Sequence, residues 1–305
     1  MKSIYKLLPA VLCSIVLFSC EPKEEFTVFK AIAETEFGEK MIRTELVGHV
    51  HEDLSNLVVS GVRESYMDFL SMNGYITKVY CYEIDLEVSD VDISISTSNN
   101  YNSTPYSRQR LTGQAELVDR DGFRILGGIN GDNFNATGTP SGILYRSGTQ
   151  IKAPATSANT RSYFAITKDK KAIIGNEMDL RVDGVLQVAH LRDAIGGRDW
   201  LVKGGEIMPQ VVPIEEAKSA VGITGDSKII LFVVDGGLFF YSNGMVLADV
   251  AKAMKALGAE SAIALSSGRN STVISRRDDN IILRNVPSNN NVEEPISNGI
   301  VVVQK

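Results

Sequence analysis

Two carboxylates stand in polar turns directly behind apolar runs. Asp132 lies in "GGINGDNFNATGTPSG", Gly127 to Gly142, and Asp235 closes "KIILFVVDGG". Glycosyl cleavage usually needs such a pair. Four polar turns could meet in one cleft if their strands are neighbours: Asn130 to Asn133, Arg161, Asp235 to Ser242, and Ser266 to Ser271. Their content suits a sugar-phosphate ligand. Asn and Ser side chains hydrogen-bond hydroxyls. Arg161, Lys218 and Arg269 can hold a phosphate, to which glycine turns also offer backbone N–H groups. Plainer roles fit as well: Asp235 with Gly236 makes an ordinary strand-end turn, and Asp132 can bond its own backbone. His49 and His51, two apart on one strand face, have no third ligand at recognisable spacing, so the sequence implies no metal site and no cofactor.

The elements that must position these groups read clearly in places. The Gly127–Gly142 stretch holds five glycines and three asparagines, which excludes a helix or a plain strand. It is a loop between "FRIL" and "ILY", two strands. Asn73-Gly74 turns one hairpin, and "KDKK" turns another within Arg161 to Gly175. "AVGITGDSKIILFVVDGG" is a third, and its apolar run Ile229 to Val234 suits a strand buried on both faces. Val246 to Leu257 carries its apolar residues at helical spacing, and Gly258 is placed to end the helix. "LTGQAELVDRDG" fits a short helix or a turn, and residues 26–60 fit a short helix, alone or with a strand. Cys81 sits in an alternating apolar run as a buried structural cysteine. The expected fold is α+β: a curved, mostly antiparallel sheet with the Val246–Leu257 helix packed on one face.

The 305 residues, 44% hydrophobic and 22% charged, suit one large or two small globular domains. A net charge of -6 without a large basic block argues against a nucleic-acid partner. Lys2 and Lys6 precede a short apolar core, Leu7 to Phe18, that ends in "LFSC". This is a targeting segment, too short for an ordinary membrane span. Its end resembles the lipobox of bacterial lipoproteins, and the acidic "EPKEEF" after Cys20 resembles the surface-export signal of Bacteroidetes lipoproteins. The resemblance implies a signal peptide over residues 1–19, lipidation and a membrane anchor at Cys20, a tether over 20–26, and an exported protein of the outer membrane or cell surface. With Cys13 in the signal and Cys20 lipidated, no disulfide framework remains.

Six segments in order, from about Tyr75 to Val303, resemble the phosphodiester glycosidase family. "GINGDNFNATGTPSGILYRSG" is similar to its "NGxFFDxxGxPxGLxxxxG" signature. "RSYFAI", "DAIGGRDWLVKGGEIM", "AVGITGDSKIILFVVDGG", "YSNGMVLADVAKAMKALGA" and "AIALSSGRNSTVI" follow the rest of its pattern. The resemblance implies a hydrolase that removes an N-acetylglucosamine-like sugar from a phosphodiester-linked glycan, with Asp132 and Asp235 catalytic. It assigns Asn130, Arg161, Lys218, Ser242, Gly244, Gly268 and Ser271 to substrate binding, to which the residue types themselves add Asn133 and Arg269. It places the glycosidase domain over residues 75–305, after an N-terminal extension over 27–74. Two departures stand out. The family's "LDGGGSS" reads "LSSGRNS", with Ser266 in place of the aspartate and Arg269 in place of a glycine. The arginine of its "RTAIG" is Lys218, which keeps the charge but loses the planar two-pronged contact. The lost aspartate admits a second reading, a non-catalytic glycan-binding lipoprotein on the same scaffold.

Overall fold

The computed structural model describes residues 31–155 and 161–305; the signal segment, the tether and Cys20 lie outside them. The fold is α+β. An eight-stranded sheet runs, in spatial order, Val47–Val59, Val62–Ser71, Ile76–Ile84, Ile229–Val234, Lys218–Thr224, Ala259–Ala264, Trp200–Lys203 and Glu206–Ile207. A five-stranded sheet runs Asn280–Leu283, Val273–Arg277, Arg124–Asn130, Asn298–Gln304 and Val91–Thr97. A second five-stranded sheet runs Thr149–Lys152, Leu144–Arg146, Leu191–Gly196, Ser162–Thr167 and Ala172–Asn176. Every pairing within these sheets is antiparallel.

Ile229–Val234 shows why the layers form. It has no polar face, and all six residues are buried. Ile230, Phe232 and Val234 point to one core and Ile229, Leu231 and Val233 to another, following the two-residue period of a strand. The first core is closed by two helices, α1 (Glu36–Ile42) and the longer Leu247–Ala256 helix, the latter through Val250, Ala251 and Met254. The second lies against the sheet that contains Ile93, Ile129, Ile300 and Val302. The Leu247–Ala256 helix ends at Leu257, and Gly258 follows at φ +97°, a conformation that glycine takes without strain. The "LTGQAELV" stretch resolves as a helix, Leu111–Val118.

Residues 27–74 do not form a separate extension where they are described. Val62–Ser71 pairs residue by residue with Ile76–Ile84. Phe37, Met41, Val47, Met67 and Phe69 belong to the same core as the Leu247–Ala256 helix. The boundary expected between residues 74 and 75 therefore falls in the tight turn of a hairpin. Cys81 is free and buried in that core, where desolvation pushes its thiol well above the ordinary value.

Strand ends gather at one edge of the molecule. Lys218 pairs with Val234, and Ala220 with Ala264. Gly299 pairs with Asn130, and Val273 with Ile129. The turns after Asn130, Val234 and Ala264 thus open on the same side, as the polar-turn pattern requires.

Candidate active site

Asn130 ties the two packed sheets together at that edge. Its Oδ1 accepts from Ser219 Oγ at 2.7 Å and from the Thr272 amide at 3.0 Å, and its Nδ2 donates to the Ser266 carbonyl at 2.9 Å. The Ser266 amide donates to the Gly131 carbonyl at 3.0 Å. Asn130 is fully buried, so it builds the floor of the site. Ser266, which replaces the family aspartate, is also buried, and its hydroxyl accepts from Asn270 Nδ2 at 2.9 Å.

Asp132 sits just beyond this floor, 1% exposed. One carboxylate oxygen accepts from the Asn133 amide at 2.7 Å and from Arg161; the other accepts from the Gly142 amide at 2.6 Å. The Asp132 amide donates to Asn298 Oδ1 at 2.9 Å. Two glycines allow this enclosure. A Cβ on Gly196 would lie 2.7 Å from the Asp132 carboxylate, and one on Gly142 would lie 2.3 Å from a Glu177 oxygen. Glu177 is fully buried and accepts from the Ile143 amide at 2.7 Å. Burial pushes the Asp132 carboxyl up to about 6; Arg161 and the two amides oppose that shift, and Glu177 adds to it. Arg161 reaches the surface, with 22% of its side chain exposed.

Asp235 has a different surrounding. Asn285 Nδ2 donates to one oxygen at 2.9 Å; the Val286 amide at 3.1 Å and Tyr80 Oη at 3.5 Å reach the other. Burial again dominates and raises the carboxyl to about 6, against the pull of these donors and of Lys78. Among the described residues, Asp132 and Asp235 share no hydrogen-bond partner. They are joined indirectly, because Asn285 also donates to the Ser271 carbonyl at 3.0 Å, and the Ser266–Thr272 turn reaches Asn130.

The remaining expected residues divide. Lys218 is buried and its Nζ donates to Glu216 at 2.6 Å. It lines a cavity of about 160 Å³ together with Arg198 and Leu247. Ser242 Oγ donates to the Asp235 carbonyl at 2.6 Å and accepts from the Lys78 amide at 3.1 Å, so it locks the turn after Asp235. Gly244 and Gly268 pack against Glu216. Ser271 Oγ is buried and has no partner among the described residues. Asn133 contributes its carbonyl, which accepts from the Ser141 amide at 2.7 Å. Arg269 is drawn away from the floor: its guanidinium is largely exposed and pairs with Glu294 at 2.9 Å. Sequence reasoning missed Glu177, Asn285, Asn298, Tyr80 and Arg198. Asn285 and Asn298 look like ordinary turn residues until the strands place Asn285 on the Asp235 carboxylate and Asn298 on the Asp132 amide.

His49 and His51 lie on the outermost strand of the large sheet, and His51 Nδ1 is 3.4 Å from Asp68. No group of three or more His, Cys, Asp or Glu among the described residues is placed to hold a metal ion.

Comparison with known proteins bears on this arrangement. A search of curated proteins found no match. Among solved structures, the zebrafish N-acetylglucosamine-1-phosphodiester alpha-N-acetylglucosaminidase catalytic domain, auto-inhibited by its pro-peptide, aligns with TM-score 0.62 at 21% identity, covering 85% of this chain and 89% of that one. A hypothetical protein from Synechocystis aligns with TM-score 0.60 at 12% identity, covering 83% and 64%. A Burkholderia pseudomallei K96243 protein aligns with TM-score 0.52 at 12% identity, covering 75% and 74%. These likenesses establish the shared fold. The sequence model described as Phosphodiester glycosidase matches residues 123–303, well over half of the chain and all of the strand ends that carry Asn130, Asp132, Arg161 and Asp235. The chain belongs to the phosphodiester glycosidase family.

Proposed function

We propose that this protein hydrolyses the glycosidic bond of a sugar phosphodiester, releasing an N-acetylglucosamine-like sugar from a phosphodiester-linked glycan or glycoconjugate. Water adds its oxygen to the anomeric carbon, the bond from that carbon to the phosphate oxygen breaks, and the phosphate monoester leaves with the electron pair. One proton of the water must be taken up as this happens. The observation that carries the reading is the Asp132–Arg161 pair: a buried carboxyl whose hold on a proton is raised by desolvation, set against a guanidinium that reaches the surface. A base of that strength can accept the water's proton. Arg161, paired with Asp132 and reaching the surface, opposes the charge that develops on the departing phosphate. Asp235, enclosed by Asn285, Val286 and Tyr80, fixes the turn on the other side. The targeting segment supports export and anchoring at Cys20 as part of the same reading.

Ser266 favours one alternative, a glycan-binding protein without turnover, because its hydroxyl supplies no titratable group where the family pattern has a carboxylate. Hydrolysis of methyl N-acetylglucosamine-1-phosphodiester by a soluble form lacking residues 1–30 separates the two. Wild type should release the sugar, and Asp132→Asn should lower kcat by at least about 100-fold, within the range for loss of general acid–base catalysis. Tight binding of the diester by both proteins, with release by neither, would favour the binding protein.

A further inference from the structure

One short backbone segment gathers the charges around Asp132. The Ser141 carbonyl accepts from Lys152 Nζ at 2.7 Å, and the amide on the other side of the same peptide bond, that of Gly142, holds the Asp132 carboxylate at 2.6 Å. The next amide, Ile143, donates to Glu177 Oε1 at 2.7 Å. Two carboxylates therefore hang from successive amides. Glu177 is fixed there, because its second oxygen accepts from the Ala155 amide and its own amide donates to the Arg161 carbonyl at 2.8 Å. Arg161 completes the cluster. Its guanidinium pairs with Asp132, and its Nε lies 3.1 Å from the point where a Cβ on Gly142 would stand, a point only 2.3 Å from Glu177 Oε1. The glycine leaves that point empty, so the three side chains close together over it.

We propose that Glu177 and Lys152 are positioning residues that act on the reaction through Asp132, by charge and in opposite senses. This rests on the glycosidase reading above and assigns what sets the strength of its base. Glu177 is fully buried and both of its oxygens are bonded to amides, so no substrate reaches it. Its charge still acts on a neighbour through an interior of low dielectric, where two carboxylates resist ionising together. Glu177 makes Asp132 hold its proton more firmly, while Lys152 and Arg161 favour the ionised form. Asn298 and Gly196, which close on Asp132 from two other strands, bring no charge.

Carbon-13 NMR of protein labelled at the aspartate side-chain carboxyl reads Asp132 without turnover, its signal being the one absent from Asp132→Asn. In Glu177→Gln the titration midpoint should fall by at least about 0.5 pH unit, and in Lys152→Gln it should rise. Glu177→Asp keeps the charge on a shorter side chain, so its midpoint should stay closer to wild type than that of Glu177→Gln. A merely structural role gives the other order: the shorter residue would open the enclosure, let water reach Asp132 and lower its midpoint at least as far. Lys152 is only partly buried, so Lys152→Gln should fold even if the Glu177 variants do not. An unchanged midpoint in Glu177→Gln, an unchanged or lowered one in Lys152→Gln, or a Glu177→Asp midpoint as low as that of Glu177→Gln would each overturn the assignment. The acid limb of kcat/KM for the methyl diester should move with the midpoint, to lower pH in Glu177→Gln and to higher pH in Lys152→Gln. If wild type releases no sugar at any pH, the glycosidase reading fails, whereas the NMR midpoints still decide whether these charges govern Asp132.

Discussion

Asp235 carries the sharpest consequence of burial at a single residue. Its carboxyl sits at about 6 in the folded protein against an ordinary 3.8, with desolvation the largest cause. A carboxyl raised on folding favours the folded state while protonated. Its contribution is fully present below the ordinary value and is lost as pH rises through about 6. The shift from 3.8 to about 6 corresponds to about 3 kcal/mol. Asp235→Asn removes the charge and keeps one of the two acceptor oxygens, which Asn285 and the Val286 amide use separately; losing the other acceptor shifts the variant by an amount that does not change with pH. Urea unfolding at a series of pH values should therefore show the variant gaining on wild type by up to about 3 kcal/mol between pH 4 and pH 7. Parallel stability curves would mean that Asp235 ionises without penalty. The same residue shows how far the sequence could be read. Its place at the end of a wholly apolar strand was legible, but Asn285 lies far along the chain and carries no local signal. Arg269 misled for the same reason: its partner Glu294 is invisible until the loops are folded.

At the scale of elements, the legible parts were those whose pattern is local. The Leu247–Ala256 helix follows from its apolar spacing, and the three hairpins follow from their turns. The geometry of the Asp132 enclosure is not local. It depends on the Leu191–Gly196 strand ending against the Gly127–Gly142 loop so closely that neither Gly142 nor Gly196 has room for a side chain. Gly196→Ala tests this directly. Its Cβ would lie 2.7 Å from the Asp132 carboxylate and 2.7 Å from the Gly142 Cα, which is backbone and yields little. The expected cost is about 1–3 kcal/mol of stability, the usual range for overpacking. The rate of the proposed glycosidic cleavage should fall at least about tenfold, because the carboxylate moves off Arg161. Gly225→Ala is the control. Its Cβ would find nothing nearer than Glu260 Cγ at 3.4 Å, an ordinary contact. Equal behaviour of the two variants would show that the enclosure has slack.

At the scale of the whole molecule, the motifs drew attention to residues from 75 onward, and the family match itself begins at residue 123. The sheet does not respect either limit. Ile76–Ile84 lies between Val62–Ser71 and Ile229–Val234, so removing residues before 75 would leave its backbone donors and acceptors unpaired along one side. It would also strip Phe37, Met41, Met67 and Phe69 from the core under the Leu247–Ala256 helix. Each large buried side chain lost from such a core costs about 2–5 kcal/mol, so the sum exceeds the stability of an ordinary domain. The N-terminal part was hard to read because its long first strand has only two buried residues and lacks a clean alternation, while its partners supply the burial. Two truncations make the case measurable by circular dichroism and thermal melting. A chain starting at residue 31 should melt within a few degrees of the longest soluble form. A chain starting at residue 75 should be aggregated or unfolded, since it keeps every catalytic candidate but exposes the edge and floor of the sheet that holds Asp235. A cooperative melt from the shorter chain, with phosphodiester hydrolysis intact, would mean that the first two strands decorate the domain instead of completing it.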